Sequence, residues 1–328
     1  MEKNTYKHLS ITERNLISIL KAQNKSLRAI ALEVNRDPAT ISRELKRNAP
    51  PVHTGYYLAH KAQQRSEKRK SKAHQRQRLK NDTIGAYVQK KLSLGWSPEQ
   101  ISGRLSVDHL GFSISHEAVY QYIYQEHPEL IPQLTRSHKK RHEKGHSRKH
   151  KQSHIPNRVG IQDRPQDIAA RQHIGHWESD TVVSGQSTAA VLVLIERKTR
   201  VTLLEKLQQK TARANAQGIT NRLAVLPQHL RQTITYDNGS ENIEHETVNQ
   251  ELQTRSFFCN PYHSWEKGSV ENAVGLLRRI FPKKTNFANV SESDIASVEL
   301  LLNNRPRKCL NYLTPLEAMA NECVALNR

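Results

Sequence analysis

The stretch His176-Trp-Glu-Ser-Asp-Thr-Val-Val183, followed by Ala189-Ala-Val-Leu-Val-Leu-Ile195 and Val201-Thr-Leu-Leu-Glu-Lys-Leu207, decides the fold of this chain. Each run reads as a strand. The middle run is apolar at every position, the pattern of a strand covered on both faces. The turn residues Lys198, Thr199 and Arg200 separate it from the third run, which makes those two a hairpin.

Working outward, residues 212–226 carry a helical pattern that stops at Pro227. Residues 233–236 form a short strand ended by Asp237-Asn-Gly239, an ordinary turn signal. A helix over 243–252, a strand over 256–259 and a helix over 264–280 follow, the last interrupted by Gly268 and Gly275. Strands, helix, strand, helix, strand, helix in that order predict a ribonuclease-H-like α/β domain. Acids sit at its strand ends and on its last helix: Asp180, Asp237 and Glu271. Singly, each is an ordinary turn or surface acid. Converging from separate elements, they would supply the oxygen ligands that divalent ions require. Glu178 shares a strand face with Asp180. It is either a partner of the ligands or a buried, hydrogen-bonded acid.

The N-terminal part is helical. Ser10-Ile-Thr-Glu13 is a capping box ahead of Leu16, Ile17, Ile19 and Leu20, and a second run keeps Leu27, Ile30, Ala31 and Val34 on one face. Asp37-Pro38 then starts a short helix with Ile41 and Leu45 inward and Thr40, Arg43 and Arg47 outward. This layout suits a helix-turn-helix that enters the major groove, or else a small bundle with a solvated basic face. A similar layout recurs at Ser97-Pro-Glu-Gln100 and at Ser115, with Val119 and Ile123 inward and Tyr120, Gln121 and Tyr124 outward. Its surroundings are acidic, so it either contacts DNA or serves a structural or protein-binding role.

Charge supports a polyanionic partner. The 328 residues carry a net charge of +20, of which residues 60–80 and 136–158 contribute +8 each. Basic stretches between folded units suit phosphate tracking, although a solvated tail can carry the same charge. Residues 1–59 are therefore expected to be a helix-turn-helix domain, 60–80 a basic connector and 81–135 a second helix-turn-helix-like unit. Residues 136–158 are expected to be a basic, His-rich linker and 159–328 the catalytic domain. In that linker His138, His142, His146, His150 and His154 recur every four residues. With no apolar face to fix a helix and many cations nearby, a flexible linker is favoured over a metal site. Three cysteines without a C-x-x-C pair argue against a disulfide scaffold or a Cys-based zinc finger. No apolar run approaches a membrane span, and no basic-then-apolar leader begins the chain. A cytoplasmic, nucleoid-associated protein with no membrane partner is expected.

Eight blocks then carry a resemblance. Gly175-His-Trp-Glu-Ser-Asp180-Thr-Val, Tyr236-Asp-Asn-Gly-Ser-Glu241 and Asn260-Pro-Tyr-His-Ser-Trp-Glu-Lys-Gly-Ser-Val-Glu271-Asn resemble the catalytic blocks of bacterial insertion-sequence transposases of the IS-thirty family. Leu276-Leu-Arg-Arg-Ile-Phe-Pro-Lys283 and Leu302-Asn-Asn-Arg-Pro-Arg-Lys308 continue it, as do Thr314-Pro-Leu-Glu317, Thr40-Ile-Ser-Arg-Glu-Leu-Lys-Arg-Asn48 and Ile155-Pro-Asn-Arg-Val159. Two positions depart: Ser179 stands where Gly is usual and Asn242 where an aromatic is common. The resemblance implies a multi-domain protein, an all-α helix-turn-helix part joined to a ribonuclease-H-like core of the retroviral integrase superfamily type. It implies an Asp-Asp-Glu triad of Asp180, Asp237 and Glu271 acting as metal ligands for two Mg²⁺ ions, with Mn²⁺ as a substitute. The partners implied are double-stranded DNA, as terminal inverted repeats and target, and further copies of the chain on that DNA. Lys267 and Arg278, roughly on the face of Glu271, are candidates to hold DNA phosphates, or else make helix pairs. The chain lacks the His-His-Cys-Cys zinc module of retroviral integrases and the His-hydrophobic-His pair of single-strand nucleases. Other readings are a repressor with an inactive nuclease-like domain, and a hydrolase that nicks without strand transfer.

Overall fold

Ser10 opens the first helix because its hydroxyl accepts the Glu13 N–H while the Glu13 carboxylate accepts the Ser10 N–H, closing a capping box. The computed structural model describes residues 8–48, 56–74, 79, 81–134, 155–261 and 263–326, which fall into two units, 1–78 and 79–328. The first unit holds α1 (Ile11–Ala22), α2 (Leu27–Val34), α3 (Pro38–Asn48) and α4 (Ala59–His74). Ile17, Leu20, Ile30, Ala31, Val34 and Ile41 make its core. Asn35, at φ 52°, ends α2 in the left-handed conformation that Asn tolerates. Residues expected to be a basic connector begin as α4, whose Ala59 and Ala62 are buried in the same core. Two small apolar residues among charges leave too weak a periodicity to mark a packed helix. Arg14 and Glu44 form a buried ion pair at 2.8 Å that ties α1 to α3, and Tyr57 donates to the same carboxylate.

The second unit begins with α5 (Asp82–Ser93), α6 (Pro98–Asp108) and α7 (His116–Gln121), around Val88, Leu92, Ile101, Leu105, Val119 and Ile123. Ser97 and Gln100 form the expected capping box. After α7 the chain runs into a π-helical turn, Tyr122–Glu126, which also brings Tyr122 into the core. The sheet is built from β1 (His176–Val183), β2 (Ala190–Glu196), β3 (Thr202–Leu207), β4 (Thr233–Tyr236) and β5 (Arg255–Phe258), in the order β3-β2-β1-β4-β5. The β1–β2 and β2–β3 pairs are antiparallel, whereas β1–β4 and β4–β5 are parallel. A short α8 (Gln166–Ala170) precedes the sheet; α9 (Ala212–Ala224) and α10 (His245–Leu252) cover one face. On the other lie α11 (Gly268–Ile280) and α12 (Glu292–Asn303), with α13 (Pro315–Leu326) closing the described chain. Leu192 and Leu194 of β2 point to the first layer and Val191, Val193 and Ile195 to the second, the physical reason for its unbroken apolar run. Gly175, at φ +94°, leads into β1; a Cβ there would stand 2.5 Å from the His229 carbonyl. This is the ribonuclease-H-like fold of integrase cores.

The α5–α7 segment is docked on the C-terminal part of the same unit. Arg104 of α6 binds Glu317 through both oxygens at 2.6 Å and donates to the Tyr312 carbonyl. Gln100 bonds the Pro306 carbonyl and accepts from Arg305. Gly103 admits the Tyr312 ring, which a Cβ would meet at 2.4 Å. Among the described residues no helix is long and apolar enough to cross a membrane.

One consequence of β1 burial is a pH dependence. His176 is 4% exposed, its Nδ1 lies 2.9 Å from Thr233 Oγ1, and burial pushes its pKa from 6.5 down to about 4. The unfolded chain therefore takes up the proton first. Stability is full above the unfolded pKa and falls as pH drops from about 6.5 toward 4, by roughly 3 kcal/mol in this unit. Urea midpoints across that range will measure it, and His176→Gln should remove most of the slope.

Candidate active site

Strand pairing brings two acids together. Glu178 of β1 is in register with Thr235 of β4. Because those strands are parallel, two further steps along both set Asp180 beside Asp237. Asp180 Oδ1 accepts its neighbour's amide, Thr181 N–H, at 2.9 Å. Asp237 is held more firmly. Asn242 Nδ2 donates to its Oδ1 at 2.8 Å and to its carbonyl at 3.2 Å, and Asn215 Nδ2 donates to Asn242 Oδ1 at 3.1 Å. Asn242 is thus one of the two positions that depart from the resembled pattern, and it orients a candidate acid.

Lys267 lies between the two acids. It is 5% exposed, donates to the Ser179 carbonyl at 2.8 Å, and its Nζ is 3.8 Å from both Asp180 Oδ1 and Asp237 Oδ2. Burial pushes the Asp180 carboxyl above its usual range; Lys267 pulls against that and Asp237 adds to it. Lys267, a candidate either to hold DNA phosphates or to make helix pairs, turns inward, because the helical turn Ser264–Lys267 brings it over Ser179 of β1.

Glu178 sets where that turn and α11 sit. It is 0% exposed and receives Arg197 Nη1 at 2.7 Å. Its other oxygen accepts the N–H groups of Ser269 at 3.1 Å and Val270 at 3.0 Å, the otherwise unpaired donors of the α11 N-terminus. Of the two readings of Glu178, the buried, hydrogen-bonded acid is the one found. Glu271 follows in the first turn of α11 and is exposed.

The structure thus gathers Asp180 and Asp237 around one cation and places Glu271 on the helix anchored next to them. Among the described residues no group of three His, Cys, Asp or Glu side chains is close enough to hold one ion. The donor chemistry nevertheless fits a hard divalent cation: carboxylate oxygens already sharing a positive charge from Lys267. Arg278 is tied to the Val183 carbonyl at 2.6 Å and stands 5.9 Å from the Phe287 ring. In the N-terminal unit, Arg43 and Arg47 of α3 are exposed and Thr40 is half-buried, on the side away from Ile41 and Glu44. The four-spaced histidines lie outside the described residues. Sequence reasoning missed the roles of Asn242 and Asn215 and the inward turn of Lys267; the Asn242–Asp237 bond spans only five residues, but Asn215 and Lys267 bond partners 27 and 88 residues away, too distant for a local pattern to signal.

The integrase core domain family matches residues 170–264, and a helix-turn-helix domain family matches residues 5–48. The chain is 35% identical to the transposase for insertion sequence element IS1086 of Cupriavidus metallidurans, over 98% of this chain and 96% of that one. It is also 35% identical to transposase InsI for insertion sequence element IS30A of Escherichia coli K12, over 96% of this chain and 84% of that one. Among solved structures, the catalytic core domain of BIV integrase aligns with 47% of this chain and 99% of its own, at 18% identity and a TM-score of 0.38.

Proposed function

The chain belongs to the IS30 family of insertion-sequence transposases, and from that premise we propose how its residues divide the work. Asp180, Asp237 and Glu271 are the catalytic acids of an Mg²⁺-dependent enzyme that cleaves DNA at the element's terminal inverted repeats and joins the freed ends to target DNA. The observation that carries this reading is the convergence of Asp180 and Asp237 on Lys267, beside a helix that presents Glu271.

The chemistry is displacement at a phosphodiester, first by water and later by the freed 3′-hydroxyl, and each step builds charge on the attacking and leaving oxygens. The three acids would hold divalent ions, Mg²⁺ or Mn²⁺, which when bound would neutralise charge on the reacting oxygens. Every other contribution comes from the protein's own groups. Asn242 fixes the rotamer of Asp237, Glu178 holds the N-terminus of α11, and Lys267 places a positive charge between Asp180 and Asp237. Thr40, Arg43 and Arg47 read the terminal repeat from α3. The chain acts as a homo-oligomer, since two ends must be cut, in the cytoplasm at the nucleoid.

The deciding assay incubates pure protein with a labelled terminal repeat and Mg²⁺. Cleavage and joining are expected; binding without either favours a repressor. Arg43→Ala should weaken binding to the terminal repeat by about 1–3 kcal/mol and leave random-sequence binding nearly unchanged. Equal losses on both DNAs in a competition gel shift would remove Arg43 as a base reader.

A further inference from the structure

Beside Glu178 the molecule concentrates more positive charge than its acids balance. Arg171 at the C-terminal cap of α8 and Arg200 in the β2–β3 turn both donate to the Ser269 hydroxyl, at 3.1 and 2.5 Å. Arg197, 4% exposed, adjoins them through Glu178, the carboxylate that also caps α11 at Ser269. Glu178 is thereby fully engaged. Glu196, the next acid in this turn, accepts from its own loop, from the Thr199 and Lys198 N–H groups and the Thr199 hydroxyl.

Two guanidiniums converging on one neutral hydroxyl is an unusual electrostatic choice. A serine oxygen offers two lone pairs, and both are taken by cations, so its own O–H is left to donate elsewhere. Arg171 and Arg197 each retain a buried Nε–H with no partner. Burial lowers the Arg171 pKa, with Arg200 and Arg197 adding repulsion and Glu178 opposing them. An oxyanion would offset the repulsion between Arg171 and Arg200 around the buried Ser269, because the planar guanidinium fork pairs with phosphate oxygens. Arg171 and Arg200 are only half-buried, so solvent and ligand reach them. Ser269 stands two residues after Lys267, whose Nζ lies 3.8 Å from both acids, and its N–H is held by Glu178, two residues before Asp180.

We propose that Arg171, Arg200 and Ser269 form a seat for one phosphodiester of the DNA backbone next to the bond that is cut. The proposal rests on the transposase reading and names the group that would hold the strand beside Asp180. A single phosphate bridges the two guanidiniums, and Ser269 turns from acceptor to donor as it arrives.

The test uses the full chain and a duplex carrying the terminal repeat, without divalent metal so that binding alone is read. Affinity is followed against salt for the wild type, Arg171→Gln, Arg200→Gln and the double variant. Loss of one phosphate contact should flatten the slope of log K against log salt by about 0.9. The double variant should lose no more than one such contact, on terminal-repeat and random DNA alike. Ser269→Ala should keep the wild-type slope. If the arginine variants melt at lower temperature but keep the wild-type slope, the network merely fastens α11 and the proposal fails. A parallel melt in inorganic phosphate separates the sources. Stabilisation of the wild type by phosphate that the double variant lacks, with unchanged salt slopes, would make the occupant free phosphate and overturn the DNA assignment. Wild-type protein that binds but never cleaves would sink the transposase reading, and the slopes would still decide the seat.

Discussion

Asp180→Asn should lower the rate of terminal-repeat cleavage by about 10³-fold or more while leaving DNA affinity within about twofold. The substitution preserves size and one carbonyl oxygen but removes the charge that faces Lys267 at 3.8 Å. Charge neutralisation at the reacting oxygens is worth several kcal/mol, and each 1.36 kcal/mol is a factor of ten. On the proposed function, base reading belongs to α3 of the N-terminal unit, so affinity for the repeat should persist. Single-turnover cleavage of a labelled end, alongside a gel shift, measures both. Asp237→Asn should behave alike, and the double variant should be hardly worse than either, because groups that hold one ion act as a unit. An Asp180→Asn protein that still cuts within tenfold of the wild type would remove this residue from the chemistry.

Glu178→Ala should destabilise the second unit by about 3–5 kcal/mol, the usual cost of stripping one partner from a buried ion pair. Here the loss is threefold in kind. Arg197, 4% exposed, keeps its charge without a carboxylate, and the Ser269 and Val270 N–H groups lose their acceptor. Freed of that cap, α11 no longer has a fixed start, so Lys267 and Glu271 lose their placement together. Urea unfolding of the variant should show a midpoint shift of that size with cleavage strongly reduced. Glu178→Gln, which keeps an acceptor but not the charge, should fall between. A Glu178→Ala protein within about 1 kcal/mol of the wild type would mean that α11 is held by other contacts.

Much of the fold was legible along the chain. The apolar run of β2, the capping boxes at Ser10 and Ser97, and the stop at Asp237-Asn-Gly239 all act within a few residues, where backbone sterics and capping dominate. The strand over 256–259 was expected one residue late, the span being Arg255–Phe258, because an edge strand carries little alternation. The helix α4 was read as a connector, its apolar content being too slight. The site was half legible. Asp180 within the first strand and Asp237 just after the fourth stand out as acids, and parallel pairing sets them side by side. Lys267 reads as either a phosphate ligand or a helix-pair partner, and 88 residues separate it from the Ser179 carbonyl it binds. No local pattern carries that information.

By itself the sequence determined most of the helices and strands of the sheet domain, which faces are apolar, and where Asp180 and Asp237 stand along their strands, since these follow from side-chain periodicity and short-range hydrogen bonding. Only the tertiary structure decided that Glu178 anchors α11, that Lys267 turns inward between two acids, and that Arg104 clamps α6 to Glu317 across 213 residues. Those are choices of partner for buried charges. A buried charge takes whichever counter-charge and donors the packed sheet and helices bring within reach, so its partner is set by three-dimensional proximity and not by chain order.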